Sequence, residues 1–219
     1  MDHTIGRVEP DRVWALVEET RFDTAVRLER LTAEEWGAPT LCRSWSVRTL
    51  AGHLLLHAGI SAGERTRAVL RHGGVHRAHD HLARALADRP LAELTASLRA
   101  AVGDQTLPPR TGPAVALTEA VVHALDIWVA LGHPPTPPST AAIAVVLDHL
   151  VGPSAPRPIV GRGRLDRVGL IATDAPWRHG RGTEVCGPAW ALVLVVAGRR
   201  AGLPALSGAG GPTLAARLG

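Results

Sequence analysis

Two residues in the segment "EAVVHALDIW" (residues 119–128) carry side chains that could do chemistry on an otherwise apolar helix. Glu119 and His123 are four residues apart, and this spacing places both side chains on the same face of an α-helix. A carboxylate beside an imidazole is either a buried hydrogen-bonded pair or a pair of metal ligands. The second alternative needs a third ligand from elsewhere in the chain.

A third donor is available at His53, which lies among apolar residues in "RTLAGHLLLHAG". Helices of an antiparallel bundle face each other across the core, so one histidine can meet a Glu–His pair on another helix. His53, Glu119 and His123 would then form a two-histidine, one-carboxylate site, which suits zinc with an open position and also ferrous iron. A set of satisfied core residues is the competing interpretation, and the sequence leaves both open.

Two further residues have the spacing to complete or support such a site. His57 follows His53 by four residues and could be a fourth ligand or a residue behind the ligands. Asp126 follows His123 by three residues and could orient its imidazole ring.

Other residues with reactive or polar side chains receive structural interpretations. In the loop before His53, Cys42 is interpreted as a small buried thiol, with a position near the metal as the alternative, and Trp45 as a packing residue. Arg48, in the first turn of the next helix, is interpreted as structural. A histidine-rich segment is interpreted as a solvated loop, and it contains His72, His76, His79 and His81.

Apolar residues at helical spacing predict that roughly the first 150 residues form a helical bundle. Thr32 and Glu35 have the spacing of a capping box, and Ser46 is predicted to cap a single helix that continues to about residue 71. Further helices are predicted in two pieces on either side of Pro90, over 114–131, and after a cap at Ser139 or Thr140.

The character of the sequence changes after Val151. A segment rich in proline, glycine and arginine is followed by two predicted strands, in "LDRVGLIATD" and "WRHGRGTEVCG", and by a helix that begins at Pro188. We therefore predict a helical bundle over 1–151 and a small α+β domain over 152–219. The second domain has a thin core, so we expect it to dock on the bundle.

Composition limits the classes of function. The 219 residues are 46% hydrophobic and 20% charged, and the net charge is only +4. All 24 basic residues are arginine and lie scattered along the chain, so a nucleic-acid partner is not expected. The apolar runs are too short to span a bilayer, and no secretion signal is recognised, so we expect no membrane partner and a cytoplasmic location. The two cysteines are expected to be reduced thiols.

Three stretches of the chain resemble the mycothiol-dependent maleylpyruvate isomerase family. From Pro39 to Leu54 the sequence follows the pattern P-[ST]-x-C-x-x-W-[TS]-V-R-x-x-x-x-H-L. "EAVVHALDIWVALG" resembles the second motif, E-x-x-x-H-x-x-D with a downstream A-L-G. "IATDAPWRHGRGTEVCGPAWALVLVVAGRRAGLPALSG" resembles the C-terminal module, and the three stretches occur in the family's order.

This resemblance implies a mainly α fold, a DinB-like four-helix bundle followed by a small sterol-carrier-like α+β domain. It implies a divalent metal, normally zinc, at His53, Glu119 and His123, and a C-terminal arginine near the active site, for which Arg199 is favoured over Arg200. The implied activity is isomerisation of a small electrophilic substrate, or S-transfer to it, with mycothiol as the thiol cosubstrate. A non-catalytic metal- or ligand-binding module is the alternative, and no oligomeric state is predicted.

Overall fold

The computed structural model describes residues 8–42, 44–56, 58–107, 111–133, 139–153, 155, 161 and 163–218. Helices form the N-terminal part, and they are α1 (Pro10–Leu28), α2 (Ala33–Gly37), α3 (Val47–Leu54), α4 (Ala62–His72), α5 (Val75–Ala87), α6 (Leu91–Ala100), α7 (Pro113–Trp128) and α8 (Thr140–Val151). The C-terminal part contains β1 (Val168–Ala172), β2 (Arg178–His179), β3 (Thr183–Gly187), α9 (Ala189–Val196), a 3₁₀ helix (Arg200–Ala205) and α10 (Gly211–Arg217). The predicted fold class, mainly α with a small α+β part at the C-terminal end, is confirmed.

Side-chain caps start several of the helices where the sequence predicts them. Thr32 and Glu35 form the capping box of α2, in which each side chain satisfies a backbone N–H of the other residue. The hydroxyl of Ser46 accepts from the backbone N–H of Thr49 at 3.2 Å and caps α3, and Ser139 caps α8. These signals are local, so they are readable without knowledge of the tertiary structure.

The single helix predicted from Ser46 to about residue 71 is wrong, because the structure has two helices there. α3 ends at Leu54, and a second capping box starts α4. In it the backbone N–H of Glu64 donates to the Ser61 hydroxyl at 3.3 Å, and the Ser61 N–H donates to the Glu64 carboxylate at 3.0 Å. The apolar periodicity of the segment hides this local start signal.

The prediction of a histidine-rich loop is also wrong. Gly73 and Gly74 end the preceding helix as predicted, with φ angles of 70° and 151°, but α5 begins immediately afterwards at Val75. His76 and His81 are exposed on α5, whereas His79 is half-buried.

Helices α3 and α5 approach so closely that their backbones touch. A Cβ atom added to Gly52 would overlap the carbonyl oxygen of Ala83 and would lie 2.9 Å from the nitrogen of Ala87. Arg48 strengthens the contact, since its Nε donates to the Ala87 carbonyl at 2.6 Å and its Nη2 to that of Arg89 at 2.7 Å. The structural role predicted for Arg48 is therefore present, as a cap on the C-terminal end of α5.

The C-terminal part forms a three-stranded sheet in the order β2-β1-β3, with β1 antiparallel to β2 and parallel to β3. Its core is continuous with that of the bundle, because one buried cluster joins side chains of α1, α7 and α8 to those of β1, β3 and α9. The indole of Trp177 adds a polar contact, donating to the Asp148 carboxylate on α8 at 2.9 Å. The expected docking of this small part on the bundle is thus achieved through a shared core.

Two details of the C-terminal part differ from the prediction. The segment expected to hold one second strand holds the two short strands β2 and β3. The structure also starts α9 at Ala189, with Pro188 as its capping residue. None of the helices in the described ranges has the length and apolar character needed to cross a membrane.

Candidate active site

The three predicted metal ligands line one cavity, which lies among α1, α3, α6 and α7. His53 comes from α3, and Glu119 and His123 come from α7. The space that a water-sized molecule can occupy in the cavity is about 50 Å³. The rings of His53 and His123 meet edge to face, with their centroids 4.9 Å apart. Apart from Arg21, the rest of the lining is small or apolar, and it consists of Thr24, Ala25, Leu54, Ala58, Leu98, Ala101, Ala116 and Ala120.

One ring nitrogen of His123 is held by a buried carboxylate. Its Nδ1 lies 3.1 Å from Oδ2 of Asp126, whose side chain is fully buried. The contact that the i, i+3 spacing suggested is therefore present. Since a carboxylate holds Nδ1, the nitrogen available to a ligand is Nε2, as in metal sites where a carboxylate orients the histidine.

Arg199 reaches this cluster from the C-terminal part of the chain. Its Nε donates to Oδ1 of Asp126 at 3.0 Å and its Nη2 to Oδ2 at 2.9 Å, so the pair is bidentate. Its Nη1 donates to the Ala197 carbonyl at 2.5 Å. Arg200 points elsewhere and donates to the carbonyls of Ala215 and Leu218. Of the two arginines considered, Arg199 is therefore the one that contacts the neighbour of His123.

Arg199 is not one of the described residues that line the cavity. Its guanidinium is directed to the Asp126 carboxylate and the Ala197 carbonyl instead of into the open space. The geometry therefore gives Arg199 an indirect position, two contacts away from the cavity. A direct catalytic role for Arg199 stays a prediction.

Cys42 belongs to the same polar cluster and lies beside the proposed ligand His123, which agrees with the alternative considered for it and not with a thiol that only packs in the loop. Its Sγ lies 3.1 Å from Oδ2 of Asp126, 3.7 Å from Nδ1 of His123 and 3.8 Å from Nη2 of Arg199. No local pattern could reveal this, since Cys42 and Arg199 are 157 residues apart in sequence.

Burial and contact have opposite effects on the charges of His123 and Asp126. Burial by itself would lower the pKa of His123, but the hydrogen bond with Asp126 and the contact with Cys42 outweigh it and raise the pKa to about 10. Burial would raise the pKa of Asp126, but the bonds from His123 and Arg199 hold it at about 2. Asp126 is therefore a carboxylate, and a cation at Nε2 of His123 would replace the proton there.

Two sets of donors compete as the metal site, and they share His123. Donor atoms of Cys42, His123 and Asp126 lie within 4.8 Å of one another, whereas those of His53, Glu119 and His123, which are also among the described residues, do not all come this close. The Arg199 guanidinium already bonds to both oxygens of Asp126, so a second cation in that set would be repelled. The cavity set uses the other nitrogen of His123, together with His53 and Glu119. His57, considered as a fourth ligand, lies outside the described residues.

Arg21 is a cavity residue that the sequence analysis missed. Its Nη1 donates to the carbonyls of Ala101 at 3.5 Å and Asp104 at 2.5 Å, while Nε and Nη2 donate to no residue in the described ranges. Burial lowers the pKa of Arg21, and the attraction of Asp104 and Glu119 partly offsets this. One signal was available, because Arg21 follows the buried Val17 by four residues on α1 and so shares its face.

Part of the sequence around this cavity is similar to a known protein domain. Residues 17–105 match the sequence model described as the mycothiol maleylpyruvate isomerase N-terminal domain. This part of the chain is therefore similar to that domain. The matched part supplies Arg21 and His53 to the cavity, whereas Glu119 and His123 lie on α7, beyond the matched range.

Two solved structures share the fold along almost the whole chain. They are crystal structures of the mycothiol-dependent maleylpyruvate isomerase, with a TM-score of 0.54, and of a histidine-to-alanine mutant of it, with a TM-score of 0.58. Each is 14% identical in sequence, and the match covers 93% of this chain and 94% of the other. At this identity the likeness establishes the fold. No curated protein matches the sequence.

Proposed function

We propose that this protein is a metal-dependent enzyme that activates mycothiol for isomerisation of a small electrophile or for S-transfer to it. The observation that carries the proposal is the shared cavity of His53, Glu119 and His123, with Nδ1 of His123 held by Asp126. The similarity to the isomerase N-terminal domain and the fold shared with two mycothiol-dependent isomerase structures support the choice of thiol.

The residues present fit a divalent cation. Two imidazoles and one carboxylate are the ligands that zinc takes when one position stays open, and a buried carboxylate behind one imidazole fixes its ring orientation. When bound, the cation would stabilise the thiolate form of the cofactor thiol at neutral pH. Asp126 holds the Nδ1 side of His123, and Arg199 holds Asp126 in turn. We assign Arg199 to this positioning role.

The lining of the cavity indicates how the chain would hold a substrate. Apolar side chains exclude water, which strengthens any electrostatic interaction inside the cavity. Arg21 has two nitrogens that donate to no described residue, and it lies on a wall of the same cavity. We assign Arg21 to pairing with a substrate carboxylate or with the negative charge that develops on a conjugated carbonyl oxygen.

The first test of this function uses the zinc-loaded protein, mycothiol and a panel of α,β-unsaturated carbonyl compounds that includes maleylpyruvate. We expect either consumption of the thiol or cis-to-trans isomerisation, with each reaction abolished by a chelator and restored by zinc. Chromatography of thiol and product provides the measurement. A protein that binds zinc but accelerates no thiol-dependent reaction would instead be the non-catalytic metal-binding module.

Arg21→Met is expected to change which electrophile the enzyme prefers. For trans-4-oxo-2-pentenoate we expect kcat/KM to fall by about ten- to a hundredfold, the loss of one charge-assisted hydrogen-bonded contact. The methyl ester of the same compound lacks the charge, so its kcat/KM should change by less than about twofold. Steady-state rates with both compounds measure the difference, and Arg21→Lys is the matched control that keeps the charge. Equal losses for acid and ester would show that Arg21 acts on the fold alone.

A further inference from the structure

Helix α5 contains none of the proposed metal ligands, yet it forms the wall behind His53. Gly52, the residue before His53, lies against the α5 backbone at Ala83. The ring of His79 on α5 has its centroid 5.9 Å from that of His53. The surroundings of this ligand are therefore set by α5 as well as by its own helix.

Trp45 connects His53 to α5 through its two chemically different parts. Its ring lies against the imidazole of His53, with centroids 4.9 Å apart and an angle of 44° between the planes. Its Nε1 donates to Oδ1 of Asp80 on α5 at 2.7 Å. The hydrogen bond restrains the rotation of the indole, and the indole lies in contact with the imidazole of His53.

Asp80 is itself held in place by Arg84, four residues further along α5. Nε of Arg84 donates to its two carboxylate oxygens at 3.2 and 3.1 Å, and the same guanidinium donates through Nη2 to the carbonyl of Ser44 at 3.1 Å. Ser44 has a φ of 68°, a left-handed conformation that is uncommon for serine, and it directly precedes Trp45. Arg84 and Asp80 thus hold both the backbone before Trp45 and its indole nitrogen.

We propose that Asp80 is a positioning residue for the metal ligand His53 and acts through the indole of Trp45. This inference rests on the proposed metal site. A ligand whose ring is already oriented loses less conformational freedom when it binds, so its metal affinity is higher. The Asp80–Arg84 ion pair is about half exposed and adds little to folding stability. A substitution of Asp80 should therefore change the metal affinity more than the stability of the fold.

The test measures zinc affinity by competition with a chromophoric chelator. Asp80→Leu removes the acceptor and Trp45→Phe removes the donor, and we expect each to weaken zinc binding by about tenfold, the low end of the range for residues behind metal ligands. Asp80→Asn keeps an oxygen that can accept from the indole, so its affinity should stay within about twofold of the wild type. In the cobalt-substituted protein, the visible absorption spectrum should change in the first two variants and stay unchanged in the third.

Controls separate positioning from a general effect on the surface or the fold. Glu93→Leu removes another exposed carboxylate that pairs with an arginine four residues away, and it should leave zinc affinity unchanged. The double variant Trp45→Phe, Asp80→Leu should have the same zinc affinity as Trp45→Phe alone, because both substitutions remove the same hydrogen bond.

Three results would overturn the inference. Equal zinc affinity of Asp80→Leu and wild type would leave the metal site intact and remove the positioning role. A loss in Asp80→Asn as large as in Asp80→Leu would assign the effect to charge instead of the hydrogen bond. A wild-type protein that binds neither zinc nor cobalt would contradict both this inference and the proposed function.

Discussion

His53→Ala is expected to lose the bound metal, falling from about one equivalent of zinc per chain to none that survives dialysis. The reason is that His53 is one of only three proposed protein ligands and the sole one outside α7. Elemental analysis of the purified wild type and variant provides the measurement. Because zinc is proposed to generate the thiolate, thiol-dependent turnover should disappear with it.

Cys42→Ser is the matched control, because it tests the competing donor set. Cys42 contacts His123 and Asp126 but does not line the cavity in the described ranges, so this variant should keep its zinc. Loss of zinc from Cys42→Ser, with retention in His53→Ala, would move the ion to the cluster beside Arg199. If the wild type holds no zinc even after reconstitution, the three cavity residues are a satisfied polar cluster and the catalytic proposal fails.

Arg199→Met is expected to lower the free energy of unfolding by about 3–5 kcal/mol. Asp126 is fully buried, and the bidentate bond from Arg199 compensates its charge. Removing the guanidinium leaves a buried carboxylate without that partner, which costs far more than losing an exposed ion pair. Urea unfolding of the metal-free protein, followed by circular dichroism, measures the change.

Arg200→Met provides the comparison at the neighbouring position. Arg200 is exposed and donates to backbone carbonyls, so its replacement should cost only about 1 kcal/mol. Adding Asp126→Asn to Arg199→Met should recover part of the stability, since it removes a buried negative charge that has lost one of its two partners and keeps only His123. If Arg199→Met unfolds at the same urea concentration as Arg200→Met, the Asp126 pair does not hold the C-terminal part in place.

Local signals explain why much of the fold could be predicted from the sequence. Capping residues such as Thr32, Ser46 and Ser139 satisfy backbone groups a few residues away, so they are visible in a short window. The prediction of one helix instead of α3 and α4 was wrong although a local signal was present. Ser61 and Glu64 form a capping box, but the apolar periodicity of the segment outweighed it. Histidines on α5 were misplaced because a polar composition was taken as evidence of a loop.

The cavity was predictable only where sequence spacing fixes geometry. Glu119 and His123 had to share a helix face, and the bundle arrangement brings His53 to the same cavity. Arg21 was missed, and the place of Cys42 near the site was only the less favoured alternative, because the partners of both residues are distant in sequence. Arg21 contacts backbone carbonyls 80 and 83 residues away, and no side-chain pattern indicates such acceptors.

Asp126 belongs at once to a proposed ligand and to the attachment of the C-terminal part. Its carboxylate contacts His123 on one side and accepts both donors of Arg199 on the other. When two binding events are linked, each changes the equilibrium constant of the other by the same factor. On the proposed ligand assignment, a metal at His123 and the docking of the C-terminal part would be energetically linked through Asp126, although that part supplies none of the proposed ligands.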